Sequence, residues 1–127
     1  MTQLAIQCAD QPLLILVVED EPMIALDLQL ALEDEGVTAQ VAASCDEAHA
    51  LLERHAFDGA ILDVNLGPGA TCRKVAGTLR SRGIPFVLHT GDLDRQGEAM
   101  RELNAMIIPK PTPAPQVIRH ILEQIDA

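Results

Sequence analysis

Leu13-Leu14-Ile15-Leu16-Val17-Val18-Glu19-Asp20-Glu21-Pro22 is an unbroken apolar run that stops on three acids and a proline. Six apolar residues without alternation predict a strand covered on both faces, as in the middle of a parallel sheet. Pro22 suits a first helical position, the acids favour the positive end of a helix, and Gly36 supplies a stop. A helix from about Pro22 to Glu35 is therefore expected. One βα unit is legible here, and the rest of the chain repeats it.

Val37 to Ala42 predicts a weaker second strand. Ser44, with Glu47 three residues on, forms a capping box that opens a second helix, whose buried face is Ala48, Leu51 and Leu52. Ala60 to Asp63 is the third strand, followed by Gly67-Pro68-Gly69 and a helix over about Thr71 to Arg82 that stops at Gly83. Pro85-Phe86-Val87-Leu88-His89 runs into Thr90 as the fourth strand. Gly91 and Asp92 begin a fourth helix with Gly97 in its middle and only a thin apolar stripe. Met106 to Ile108 is the fifth strand and leads into Pro109-Lys110-Pro111. A last helix, roughly Pro113 to Ile125, carries Val117, Ile118, Ile121, Leu122 and Ile125 at helical period.

Repeated βα units with short connections predict an α/β fold, a flavodoxin-like doubly wound sheet in strand order 2-1-3-4-5. A short polar lead-in at residues 1–12 precedes a single domain at 13–127. The chain has 127 residues, enough to bury a core without staples. Only Phe57 and Phe86 are aromatic, so that core is built of Leu, Ile, Val and Ala.

Nine basic against nineteen acidic side chains give a net charge of −10. Such a surface repels nucleic acid, whose non-specific affinity comes from Lys and Arg on phosphates, and points to protein partners. Cys8, Cys45 and Cys72 lack metal-ligand spacing, which predicts reduced thiols in a cytoplasmic protein. No leader pattern or membrane span is visible.

The strand ends carry the chemistry. Glu19 and Asp20, then Asp63, then Thr90, then Lys110 each follow an apolar run, and in an open parallel sheet those ends share one edge. Two carboxylates ~5 Å apart repel by about 3 kcal/mol at an effective dielectric near 20, so three in one cleft call for shifted pKa values or a cation. All-oxygen ligation with room for water favours Mg²⁺ or Mn²⁺. Asp63 would then be a nucleophile toward phosphorus. The bland alternatives are that Glu19, Asp20 and Glu21 merely cap a helix and that Asp63 is a strand-end turn residue. Thr90 alone says little, but Gly91 beside it permits close approach of a phosphoryl oxygen. Lys110 is flanked by prolines that restrict the backbone and aim a point charge, and the Lys110-Pro111 bond can be cis.

At Val17-Val18-Glu19-Asp20-Glu21-Pro22, Ile61-Leu62-Asp63-Val64-Asn65, His89-Thr90-Gly91 and Pro109-Lys110-Pro111 the chain resembles the receiver domains of two-component response regulators, from about Leu13 to Ile125. The resemblance implies a phospho-accepting switch, not an enzyme. Asp63 matches the phosphorylated aspartate, Glu19 and Asp20 the metal-binding pair, and Asn65 the position whose backbone carbonyl completes the Mg²⁺ site. Thr90 matches the switch hydroxyl, which swings inward after phosphorylation, and Lys110 the phosphate-binding lysine. The implied donor is a histidine kinase or a histidine phosphotransfer protein. Departures are Ile107 in place of a rotating aromatic, Gly67-Pro68-Gly69 in place of Met-Pro, and Thr112 in place of Phe. Pro85 to Gly91, with the weak fourth helix, looks in part like the single-domain FATGUY receivers, although Leu93 stands where they carry an aromatic.

The first helix has more apolar residues than its core face needs. Ile24, Leu28, Ala31 and Leu32 pack on the sheet, while Met23, Leu26 and Leu30 form a second stripe. That stripe is a docking strip for the donor kinase, packing against the last helix, or a set of scattered exposed apolar residues of the ordinary kind. His49, His55, His89 and His120 lack ligand spacing and read as surface or helix-end residues, His89 being turned away from the cleft by strand alternation. The expected whole is a stand-alone receiver, a monomer or weak dimer, signalling through protein contacts or draining phosphate from a shared kinase. A receiver excised from a longer regulator or hybrid kinase would look nearly identical. An aspartate-nucleophile phosphatase is the enzyme rival, disfavoured because Asn65 cannot protonate a leaving group. A flavodoxin is disfavoured because an acidic first loop repels a cofactor phosphate.

Overall fold

A computed structural model describes residues 12–63, 70–90 and 105–126. Its elements in chain order are β1 (Leu14–Val18), α1 (Pro22–Asp34), β2 (Thr38–Ala42), α2 (Cys45–Arg54), β3 (Gly59–Asp63), α3 (Ala70–Ser81), β4 (Phe86–Thr90), β5 (Met106–Pro109) and α4 (Ala114–Asp126). The five strands form one parallel sheet in the order β2-β1-β3-β4-β5, as the alternating βα pattern predicts. Nearly all of the lead-in, residues 64–69 with Asn65 and the Gly67-Pro68-Gly69 segment, and the fourth helix expected from Gly91 lie outside the described residues.

Strand alternation divides the core into two layers. Leu16, Val18, Ala60, Leu62, Phe86 and Leu88 face α2 and α3, where Ala48, Leu52, Val75 and Leu79 meet them. Ile15, Val17, Ile61, Val87 and Ile108 face α1 and α4 and bury Leu28, Leu32, Val117, Ile118 and Ile121. The central strands β1, β3 and β4 are therefore covered on both faces, which is why they read as continuous apolar runs.

Local signals set the helix boundaries. Ser44 Oγ accepts from the Glu47 N–H at 3.1 Å, and Glu47 Oε1 accepts in return from the Ala43 N–H at 3.0 Å, one residue ahead of the usual capping-box partner. Gly36 and Gly83 end their helices at φ +76° and +71°, a conformation that favours glycine. Gly59 has a different reason to be glycine. A Cβ there would lie 2.9 Å from Ile125 Cδ1, so its absence lets α4 pack closely on β3.

Candidate functional site

Register brings the polar strand ends to one edge. Val18, the last residue of β1, pairs with Ala42 and Leu62, and the Glu19 N–H extends the ladder to the Ala42 carbonyl at 2.9 Å. Asp63 closes β3 opposite His89, and Thr90 closes β4 opposite Pro109. Lys110 follows β5, its N–H donating to the Thr90 carbonyl at 2.8 Å. The Lys110-Pro111 peptide is cis, and the Thr112 hydroxyl donates to the Pro109 carbonyl across the turn that carries the lysine.

These placements converge on one charged pocket. Lys110 Nζ donates to Asp63 Oδ2 at 3.1 Å and lies 3.0 Å from Glu19 Oε1. The second contact is an ion pair whose angles miss hydrogen-bond geometry, so Oε1 keeps no hydrogen-bond partner among the described residues. Glu19 Oε2 accepts from the Glu21 N–H at 3.2 Å. Glu19, Asp20 and Asp63 each offer a carboxylate oxygen within 4.8 Å of the others. Glu19 and Asp63 are buried, each 2 % exposed, whereas Asp20 sits at the surface. Thr90 is fully buried at the same sheet edge.

The electrostatics follow from that burial. Burial pushes the Glu19 carboxyl up to about 7, with Asp63 adding to the shift and the Lys110 ammonium and Glu21 amide opposing it. Burial works against the Lys110 ammonium, but Glu19 and Asp63 outweigh it and hold its pKa above the ordinary lysine value. The repulsion among the carboxylates is thus eased in two ways, through the lysine that follows β5 and through the raised pKa of Glu19. The all-oxygen donor set, with one ligand open to solvent and one oxygen that accepts no hydrogen bond from the described residues, fits a hard divalent cation that keeps some of its water.

Of the residues singled out in the sequence, Lys110 touches Glu19 and Asp63, Asp20 brings a carboxylate oxygen within 4.8 Å of theirs, and Thr90 joins through the Lys110 backbone. Asn65 lies outside the described residues. Met23, Leu26 and Leu30 are 72, 46 and 50 % exposed, so the second stripe of α1 does not pack against α4.

His89 corrects the reading of the histidines as surface or helix-end residues. It is 4 % exposed, on the α1–α4 side of the sheet with Val87. The signal was present in Phe86-Val87-Leu88, because a strand buried on both faces buries its histidine as well. Burial first, and the Lys110 charge second, lower its pKa to about 4 against the pull of Asp63.

Comparison with known proteins agrees with this geometry. The sequence profile described as "Response regulator receiver domain" matches residues 15–122. The alginate biosynthesis transcriptional regulatory protein AlgB of Pseudomonas aeruginosa is 45% identical over 53 residues, which is 42% of this chain and 12% of that protein's length. A CheY-like receiver domain protein of Methanospirillum hungatei superposes with a TM-score of 0.80 at 24% identity, covering 91% of this chain and 95% of that one. The chemotaxis response regulator CheY4 of Vibrio cholerae gives 0.75 at 22% identity, covering 91% and 99%. At these identities the two structures show the shared fold.

Proposed function

The chain belongs to the family of response regulator receiver domains of two-component signalling, and from that membership and the charged pocket we propose that Asp63 is its phospho-acceptor. Residues 13–127 constitute the receiver, and the phosphoryl group comes from a phosphohistidine on a histidine kinase or histidine phosphotransfer protein. The observation that carries this reading is the Lys110 ammonium held at 3.0 and 3.1 Å between Glu19 and Asp63.

An Asp63 oxygen attacks phosphorus while the bond to the donor breaks, and the leaving group departs with the electron pair. Lys110 is already within hydrogen-bond reach of that carboxylate and pairs with the incoming phosphoryl oxygens as a point charge. Glu19, Asp20 and Asp63, with the Asn65 carbonyl, are the residues that would hold Mg²⁺ or Mn²⁺. When bound, the cation offsets charge on the phosphoryl oxygens. Thr90 supplies the switch hydroxyl, and its carbonyl ties it to Lys110.

Output runs through protein contacts. A net charge of −10 disfavours direct DNA binding, and the exposed Met23, Leu26 and Leu30 strip is the docking surface for the phosphodonor. No described helix is long and apolar enough to cross a membrane. From the family membership we place the chain in the cytoplasm.

The test is intact-mass analysis after incubation with Mg²⁺ and acetyl phosphate. One added phosphoryl group on the native chain and none on Asp63→Asn is the expected result. Equal labelling of the two proteins removes Asp63 from this role.

A further inference from the structure

Between α1 and the loop that follows β5 lies a cavity of about 450 Å³. Ile24, Asp27 and Leu28 line one side and the loop from Lys110 to Ala114 the other, with His89 as the buried polar group of the lining. Small-molecule sites have volumes of this order, mostly apolar walls and a few placed polar atoms. Neither His89 Nδ1 nor Nε2 has a hydrogen-bond partner among the described residues. A buried polar group in that state is costly, and a molecule that pairs with it while filling the apolar space gains on both counts.

We propose that this cavity binds a small neutral molecule with an apolar body and one hydroxyl group, hydrogen-bonded to the His89 ring. A neutral imidazole has one donor nitrogen and one acceptor nitrogen, and a hydroxyl can serve either, so it matches whichever nitrogen faces the cavity. An anionic ligand is disfavoured. The chain carries a charge of −10, Asp27 stands exposed on the lining, and the Lys110 ammonium is already engaged by Glu19 and Asp63. Because Lys110 lines the cavity and also touches Asp63, occupancy and the state of Asp63 are linked, each altering the other by the same factor. That linkage rests on the phospho-acceptor reading, whereas binding itself does not.

The experiment titrates p-cresol, with toluene as its hydroxyl-free counterpart, into the full chain and follows backbone amides by NMR. Saturable shifts confined to Leu28, His89, Thr112 and Ala114 are expected, with toluene roughly fivefold weaker for want of one hydrogen bond. His89→Leu should abolish the preference for p-cresol, and His89→Gln, which keeps a donor and an acceptor, should retain part of it. If the leucine variant does not fold, the glutamine variant carries the comparison. The titration is run without Mg²⁺ or any phosphodonor, so a failure of phosphotransfer leaves this result standing. Absence of saturable shifts, equal affinity for the two probes, or a preference unchanged in the His89 variants overturns the proposal.

Discussion

The Lys110 N–H donates to the Thr90 carbonyl at 2.8 Å, one step past the rung where Thr90 faces Pro109. The lysine that reaches Asp63 with its side chain is thereby fastened by its backbone to the residue that closes β4.

Lys110 compensates two buried carboxylates, so removing it leaves them facing each other. Lys110→Ala should destabilise the metal-free chain on the order of 2–3 kcal/mol in urea unfolding at pH 8, since breaking a buried pair strands its partner. Added Mg²⁺ should recover a large part of that loss by supplying the missing charge. No recovery would mean that the carboxylates do not form a cation site.

Two pH linkages of opposite sign overlap in this pocket. Glu19 is raised from 4.5 to about 7 in the fold, so its contribution is complete below pH 4.5 and is lost as pH rises toward 7. His89 is lowered from 6.5 to about 4, so its contribution is present above pH 6.5 and is lost as pH falls toward 4. Between pH 4.5 and 6.5 the two slopes, each at most about 1.4 kcal/mol per pH unit, offset each other. Relative to the native chain, Glu19→Gln should expose a stability that rises with pH in this window and His89→Leu one that falls. Urea midpoints in EDTA across pH 4.5–7.5 check both signs.

The docking role proposed for the exposed strip on α1 predicts that partner recognition can be separated from chemistry. Leu26→Glu combined with Leu30→Glu should slow phosphotransfer from a phosphorylated partner by at least tenfold while leaving labelling by acetyl phosphate unchanged. Equal loss of both reactions, read by intact mass, would locate the damage in the fold and not in docking.

Gly59 tests the packing beneath the site. Gly59→Ala puts a methyl group 2.9 Å from Ile125 Cδ1 and 3.2 Å from Ile15 Cδ1. The facing atoms are ends of flexible side chains, so a loss of about 1–2 kcal/mol in thermal or urea unfolding is expected. Phosphorylation by acetyl phosphate should be unaffected, because the substitution lies at the opposite end of β3 from Asp63.

Much of this protein was legible in order along the chain. The uninterrupted apolar run from Leu13 to Val18 announced a central strand, and Ser44 with Glu47 announced a helix start. Gly36 and Gly83 marked two helix ends. The burial of His89 was legible as well, in the Phe86-Val87-Leu88 run of a strand covered on both faces, although strand alternation alone gives only the face of a side chain.

These features are readable because their causes, hydrophobic period, capping and backbone freedom, act within a few residues. The sequence by itself therefore determined the βα repeat, the sheet order and the presence of acids, hydroxyl and lysine at strand ends. Only the tertiary structure decided that Glu19 is buried while its neighbour Asp20 is exposed, and that one ammonium spans Glu19 and Asp63 from a strand two places away from β3 in the sheet. Distances between strand ends depend on register and on the layers packed above them, and those are properties of the assembled sheet.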